Sequence, residues 1–448
     1  MGMPPSVELQ DREDILQRIA DRGTAFVQMR YIGVDGAIVA TNVPAEMVPE
    51  ALGAGIRLSA QALPSVPRFG NGDVLLRPDP CTFKTLDWFS GHTPIGSMLC
   101  DLCLDDGRLH LGSPRSVLKE ALAKVERAHH IRFLIRASVK FYLVSGASGD
   151  RPYDLPRAAC LPAAKRADGM WLELLSGLRS MGYALTGQAT TGYPCLCQVT
   201  LQSLNALSFA DQVVSIREAI GHHARRLGLA ATFMPKLSAD LPASGVEILQ
   251  WLEDTASGDN RFAERSRPYG VSRMAEQFAS GQLEHAKGLL AVLGPLVNSY
   301  KRVGSRHDSH MLASWSRSST ETMLQIADEP GPSSSTGAAL LIRLADAAAN
   351  PYLTSLCLLA AGMDGVSRES ALPPPTEGRY ASNAAPRHLQ ILPTTLGDAL
   401  QQLADDPVLC ATLGEPLCTW YLRAKRAEWR EYSQQVTPWE LERYLGRF

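Results

Sequence analysis

Residues 113–145 carry two hydrophobic periods back to back, and that juxtaposition constrains the fold more than any other stretch of the chain. Ser113-Pro114 opens a helix, and Val117, Leu118, Leu122 and Val125 fall on one of its faces at helical spacing. From Arg132 to Ser145 the period drops to two, which predicts a strand. An apolar helix stripe and an apolar strand face each need cover, so helices packed on a sheet are expected.

The same mixture runs through the rest of the sequence. A helix over residues 8–20 presents Leu9, Ile15, Leu16 and Ile19, with Asp11 as its cap. Ala25–Val34 and Gly36–Val43 read as a hairpin around Gly33-Val-Asp-Gly36, and strand-like runs continue to about Cys103. Then come a helix at 168–181, a strand pattern at 183–202 and a long helix at 208–227. Ala256–Pro268, Pro330–Thr336 and Pro373–Arg387 read as loops, and helices dominate from Ala347 to an amphipathic helical end. The fold class is α+β, with a small β-rich unit at residues 1–105 and a larger mixed body at 106–448.

Composition excludes several function classes. The chain has 448 residues, enough for two to four domains, and 45% are hydrophobic, which argues against disorder. Its 44 Lys+Arg against 46 Asp+Glu leave no basic excess to neutralise phosphates, so no nucleic-acid partner is expected. No uninterrupted apolar run reaches membrane-spanning length, and Met1–Glu13 lacks a secretory pattern; a cytoplasmic protein is expected. The 9 cysteines, an odd count, read as reduced thiols, and Cys100-Asp-Leu-Cys103 lacks the second pair of a zinc site.

Several ordered segments resemble the glutamine synthetase family. Ala231-Thr-Phe-Met-Pro-Lys236 is similar to its A-T-F-M-P-K-P strand, and Asn298-Ser-Tyr-Lys-Arg302 to N-S-Y-K-R-L. Ala349-Asn-Pro-Tyr-Leu353 with Leu359-Ala-Ala-Gly-Met-Asp-Gly365 is similar to A-N-P-Y-L…A-A-G-L-D-G. Leu76-Arg-Pro-Asp-Pro80 and Cys100-Asp101…Gly107…Pro114-Arg115 resemble L-x-P-D-P and C-D…G…P-R. Val436-Thr-Pro-Trp-Glu440 resembles the family's terminal helices. The resemblance implies an N-terminal β-grasp-like domain and a large catalytic-type domain on a curved antiparallel sheet flanked by helices. It further implies a ring, hexameric or doubly stacked, and ATP-dependent ligation of an amine to a carboxylate with Mg²⁺ or Mn²⁺.

The implied metal ligands are glutamates and one histidine, as a hard cation requires. Ser138 and Lys140 stand at the acids of the family's E-x-E-F strand, and Thr190 and Gln198 at the next pair. Glu247 replaces the histidine of the G-S-G-M-H-x-H loop, Leu249 its companion, and Leu341 the last glutamate. Two cations 4 Å apart repel by about 4 kcal/mol at an effective dielectric near 20, so Lys140 opposes a metal cluster. No metal site and no nucleotide cofactor are therefore expected, although the family would use both.

Three positions keep a link to the family's chemistry. Arg302 matches the arginine that contacts substrate glutamate, Arg343 matches a further active-site arginine, and Asp308 falls at the flap glutamate. Two of them have an alternative: Asp308 as a solvated loop residue, and Arg343 as an ion-pair partner. Thr320 and Gln325 align with two other family arginines, and Lys236 reads as structural. His129-His130 read as a surface pair, His222-His223 point apart on a helix, and His307 with His310 lack partners for zinc. Cys195 and Cys197 share a strand face and read as buried thiols.

The expectation is a pseudoenzyme with this fold, an assembling, regulatory or binding subunit in a homo-oligomer or beside an active paralogue. Alternatives are a γ-glutamyl amide or amine ligase with a rearranged site, and a transferase without ATP.

Overall fold

The computed structural model describes residues 5–59, 63, 73–86, 94–145, 172–183, 185–190, 193–303, 312–319, 322–329, 337–376 and 390–447. The first sheet comprises β1 (Phe26–Ile32), β2 (Ile38–Pro44), β3 (Ile56–Ser59), β4 (Asp73–Pro78), β5 (Lys84–Thr85) and β6 (Ile95–Cys103). Its order is β2-β1-β6-β4-β3, with β5 on β6; β1 and β6 run parallel and the other pairs antiparallel. Helices α1 (Pro5–Asp21) and α2 (Val48–Ala54) accompany it, and Ile15, Ile19, Leu52, Val27, Met29, Leu76 and Met98 form one core. The hairpin of β1 and β2 is the one the sequence predicts. Helix α1 starts earlier than expected, so Asp11 lies inside it and is no cap. Pro5, whose fixed φ suits a first turn, opens it instead.

Helix α3 (Pro114–His129) follows, with the Ser113 hydroxyl accepting from Ser116 N and Pro114 at the first position. His130 ends it in the left-handed region at φ 54°, and β7 (Ile131–Ser145) leaves from there. The second sheet adds β8 (Leu185–Thr190), β9 (Tyr193–Leu201), β10 (Leu204–Asn205), β11 (Leu229–Thr232) and β12 (Gly245–Asp254). After the small strand β13 (Leu312–Ala313), β14 (Trp315–Ser316), β15 (Leu324–Glu329) and β16 (Gly337–Ala345) complete it. The order is β14-β15-β16-β12-β7-β9-β8, with β10 and β11 also on β7, while β13 pairs separately with β17 (Gln390–Ile391). All pairs in this curved sheet are antiparallel except β14 with β15. The strand pattern expected over 183–202 is thus the hairpin of β8 and β9.

The remaining helices are α4 (172–180), α5 (Ala206–Arg226), α6 (Arg273–Glu284), α7 (Ala286–Leu293), α8 (Ser299–Val303) and α9 (Pro351–Ser367). They are followed by α10 (Leu396–Ala404), α11 (Pro407–Leu413), α12 (Glu415–Ser433) and α13 (Pro438–Tyr444). Odd-numbered side chains of β7, from Ile131 to Leu143, are buried in a core shared with α3, α5, α6, α7 and α9. Helices α6 and α9 touch backbone to backbone at Gly281 and Gly365, where a Cβ on Gly281 would lie 2.1 Å from the Ala361 carbonyl. The even-numbered Leu134, Arg136, Ser138 and Lys140 occupy the opposite, half-exposed face.

The two sheets meet at Arg115, whose side chain is buried at the start of α3. It pairs with Asp79 at 2.7 Å, with Asp211 of α5 at 2.9 Å, and with Asp101 of β6. Burial pushes the Asp101 carboxyl up, but Arg115 and Lys119 outweigh it and hold it below the usual range. The Tyr352 hydroxyl donates to Asp211 at 2.6 Å, and Asn350 both caps α9 and donates to the Gly33 and Val34 carbonyls of the hairpin turn. The expected loop at Pro330–Thr336, and the part of the other beyond residue 376, lie outside the described residues.

Candidate functional site

The half-exposed face of β7 builds the site because directly opposed residues of neighbouring strands share a face. Ser138 lies opposite Glu247 of β12 and Thr200 of β9, and Lys140 opposite Gln198 of β9 and Gly245 of β12. Lys140 Nζ donates to Glu247 Oε1 at 2.8 Å, joining residues 107 apart in sequence. Arg343 Nε of β16 stands 3.9 Å from the same Glu247 oxygen, while its Nη1 donates to Gln325 Oε1 at 2.7 Å. Ser138 and Thr200 share a hydroxyl–hydroxyl bond at 2.8 Å, and Gln198 Nε2 donates to Thr200 at 3.5 Å. Leu341 places an aliphatic side chain on β16 opposite Leu249 and Gln325. Burial lowers the Arg343 pKa from its ordinary value, and Glu247 only partly opposes that.

Lys140, Ser244, Gly245, Glu247, Arg302 and Arg343 line a cavity of about 60 Å³. Arg302 reaches it from α8, but its guanidinium is committed elsewhere. Nε contacts Asp346 at 2.9 Å, Nη1 donates to the Arg343 carbonyl at 3.0 Å, and Nη2 to the Leu344 carbonyl. Asp346 is wholly buried, and burial pushes its carboxyl up while Arg302 opposes the shift. Gly245 permits this approach, since a Cβ there would come within 2.9 Å of Arg302 Nη1. The resemblance implies a substrate contact for Arg302, whereas the geometry gives it a tie from α8 to the backbone of β16.

The segments around the cavity are knitted together by backbone groups. Ser244 Oγ donates to the Met234 carbonyl at 2.8 Å, and Asn298 exchanges hydrogen bonds with Lys236 N and O at 2.7 and 3.0 Å. The buried Lys236 ammonium donates to the Leu241 carbonyl at 2.7 Å. Cys195 and Cys197 are both buried, and burial pushes the Cys197 thiol up to about 12, far from a thiolate at neutral pH.

Of the sequence-derived positions, Ser138, Lys140, Gln198, Glu247 and Arg343 share one face of the sheet. Thr190 lies at the end of β8 with its side chain outside the described residues, as are Asp308, Thr320, His307 and His310. The Lys140–Glu247 pair and the Gln325 bond to Arg343 are not readable from the sequence as contacts. The alternation of β7 and the half-exposed residues of β12 are the signal that could have located them. As chemistry, the face offers two cations, hydroxyls and amides around one carboxylate already paired with an ammonium. Among the described residues no three His, Cys, Asp or Glu side chains stand close enough to share a metal ion. This donor set does not fit a divalent cation, which asks for several oxygen ligands and above all carboxylates.

A helix-backed, curved antiparallel sheet with a polar cavity on its open face defines a ligand-site architecture shared with known proteins. The family model described as glutamine synthetase, catalytic domain, matches residues 111–444, and the chain belongs to the glutamine synthetase family. It is 29% identical to the glutamine synthetase of Thermus thermophilus, over 98% of this chain and 99% of that protein. Against the glutamine synthetase of Halobacterium salinarum the identity is 30%, over 100% and 99% of the two chains. Among solved structures, a GmaS/ADP complex superposes with a TM-score of 0.82 at 27% identity, covering 96% of this chain and 99% of that one. Among the described residues no helix is long and apolar enough to cross a membrane.

Proposed function

We propose that this member of the glutamine synthetase family does not perform metal-dependent ligation and serves instead as an assembling, regulatory or ligand-binding subunit. The observation that carries the reading is the ion pair of Lys140 with Glu247 at 2.8 Å, at positions where the family resemblance implies a metal-ligating acid and a metal-ligating histidine. An ammonium in that position repels a divalent cation by several kcal/mol at close range, at about 4 kcal/mol per pair of unit charges 4 Å apart. ATP with Mg²⁺ or Mn²⁺ is accordingly not its cofactor. Its partners in this reading are further copies of itself in a hexameric or doubly stacked ring, or an active paralogue, within the cytoplasm.

The test is ADP release from ATP and Mg²⁺ with L-glutamate and a panel of amines. No release above the protein-free blank is expected. Turnover dependent on Mg²⁺ would overturn the reading and favour the second one, an ATP-dependent γ-glutamyl amide or amine ligase with a rearranged site. That alternative is supported by near full-length similarity to curated glutamine synthetases and to the GmaS/ADP complex. Sizing the chain alone and after mixing with an active paralogue checks assembly, and a monomer under both conditions would count against the subunit role.

A further inference from the structure

The cavity beside Lys140 holds an excess of positive charge that the ion pair does not consume. Lys140 and Arg343 flank Glu247, two cations against one carboxylate, at 2.8 and 3.9 Å. The side chains are partly accessible, at 29%, 17% and 33% exposure respectively, so a solute can reach them. Arg343 uses Nη1 on Gln325, and its Nη2 has no partner among the described residues. Arg302 adds no free charge because Asp346 offsets it. The cavity of about 60 Å³ has room for several waters, enough for one carboxylate or phosphate head.

We propose that Lys140 and Arg343 form a metal-free anion site, in which the lysine ammonium takes the charge-neutralising place of a divalent cation and binds a carboxylate or phosphate group directly. The inference rests on the reading that metal-dependent ligation is absent and names the ligand class of that same cavity. The ammonium supplies a compact charge and up to three donors, while the guanidinium fork supplies directional donors suited to a planar or tetrahedral oxyanion. Glu247 is the counterweight. It holds Lys140 in place while the cavity is empty and competes with the incoming anion for it.

That arrangement predicts effects of opposite sign from two neighbouring substitutions. Titration of the full-length protein in excess EDTA, with inorganic phosphate and L-glutamate as separate probes, should show saturable binding of at least one. The probe that binds more tightly distinguishes a phosphate from a carboxylate site. Lys140→Gln should weaken binding about tenfold, or about 1.4 kcal/mol. Glu247→Gln should tighten it about tenfold, a gain that loss of folding cannot mimic. Lys140→Arg should restore most of the affinity lost in Lys140→Gln. If neither probe binds in EDTA and Mg²⁺ elicits no ADP release, the anion site is overturned and the non-ligating reading stands. Binding only with Mg²⁺, accompanied by ADP release, overturns both. Equal weakening by Lys140→Gln and Glu247→Gln overturns the anion site, because it would show the pair to be merely structural.

Discussion

Arg115 and Glu247 sit at the centres of two charge clusters with opposite stoichiometry. Around Arg115, the carboxylates of Asp79, Asp101 and Asp211 converge on one buried guanidinium at the seam between the sheets. Around Glu247, Lys140 and Arg343 converge on one half-exposed carboxylate at the open face of the second sheet. The acidic residues that the fold uses for cohesion are in place and tightly engaged. On the open face the charge is inverted. A buried, multiply bonded cluster loses much when one member is removed, whereas a solvent-screened pair contributes little to folding. The first cluster is therefore expected to carry stability, and the second to be open to exchange with ligand.

The largest expected effect is at the seam. Arg115→Met leaves Asp79 and Asp211 without their cation and Asp101 with Lys119 alone, and should cost about 3–5 kcal/mol, read from urea unfolding. A cost under about 1 kcal/mol would erase the contrast between the clusters. Between the extremes lies His285, which joins α6 and α7 and is held by Asp406 at 2.7 Å and Asp364 at 3.1 Å. Burial lowers its pKa, but the two carboxylates outweigh burial and raise it above the ordinary 6.5, with Arg368 and Glu284 flanking Asp364. Its stabilising contribution is fully present below pH 6.5 and lost as pH rises through the higher folded value. Unfolding measured from pH 5.5 to 8.5 should show that decline, and His285→Gln should flatten it; an unchanged slope in the variant would assign the decline to other groups. The smallest effect belongs to the open face. Lys140→Met combined with Glu247→Met removes both charges and should change stability by less than about 1 kcal/mol. A loss matching that of Arg115→Met would make both clusters structural.

The same contrast explains what the sequence disclosed. Ser113-Pro114 and the alternation from Arg132 to Ser145 gave α3 and β7 because capping and period are local properties. The family segments were legible for a different reason, since many of their polar residues hold long-range joints. Asp79, Asp101 and Arg115 meet at the seam, Asn350 grips a hairpin turn, and Tyr352 bonds Asp211. Alignment to motifs picked out positions that share the open face, such as Ser138, Lys140 and Glu247, but not the partners of their side chains. Lys140 and Glu247 meet through strand register across 107 positions, and no local signal encodes that distance. Arg302 shows the same limit: a motif suggests a ligand contact, while the folded chain turns its guanidinium to carbonyls and Asp346. The start of α1 was misplaced because a proline opening competes with an acidic cap as a helix signal.

The Arg302 tie has one more consequence. Two of its three attachments are to peptide carbonyls, at Arg343 and Leu344, which every amino acid supplies alike. The anchorage of β16 to α8 is thus indifferent to the side chains that β16 displays. Positions 341 and 343 can change their chemistry while the strand stays where it is, so the open face can acquire a new ligand preference without renegotiating its scaffold.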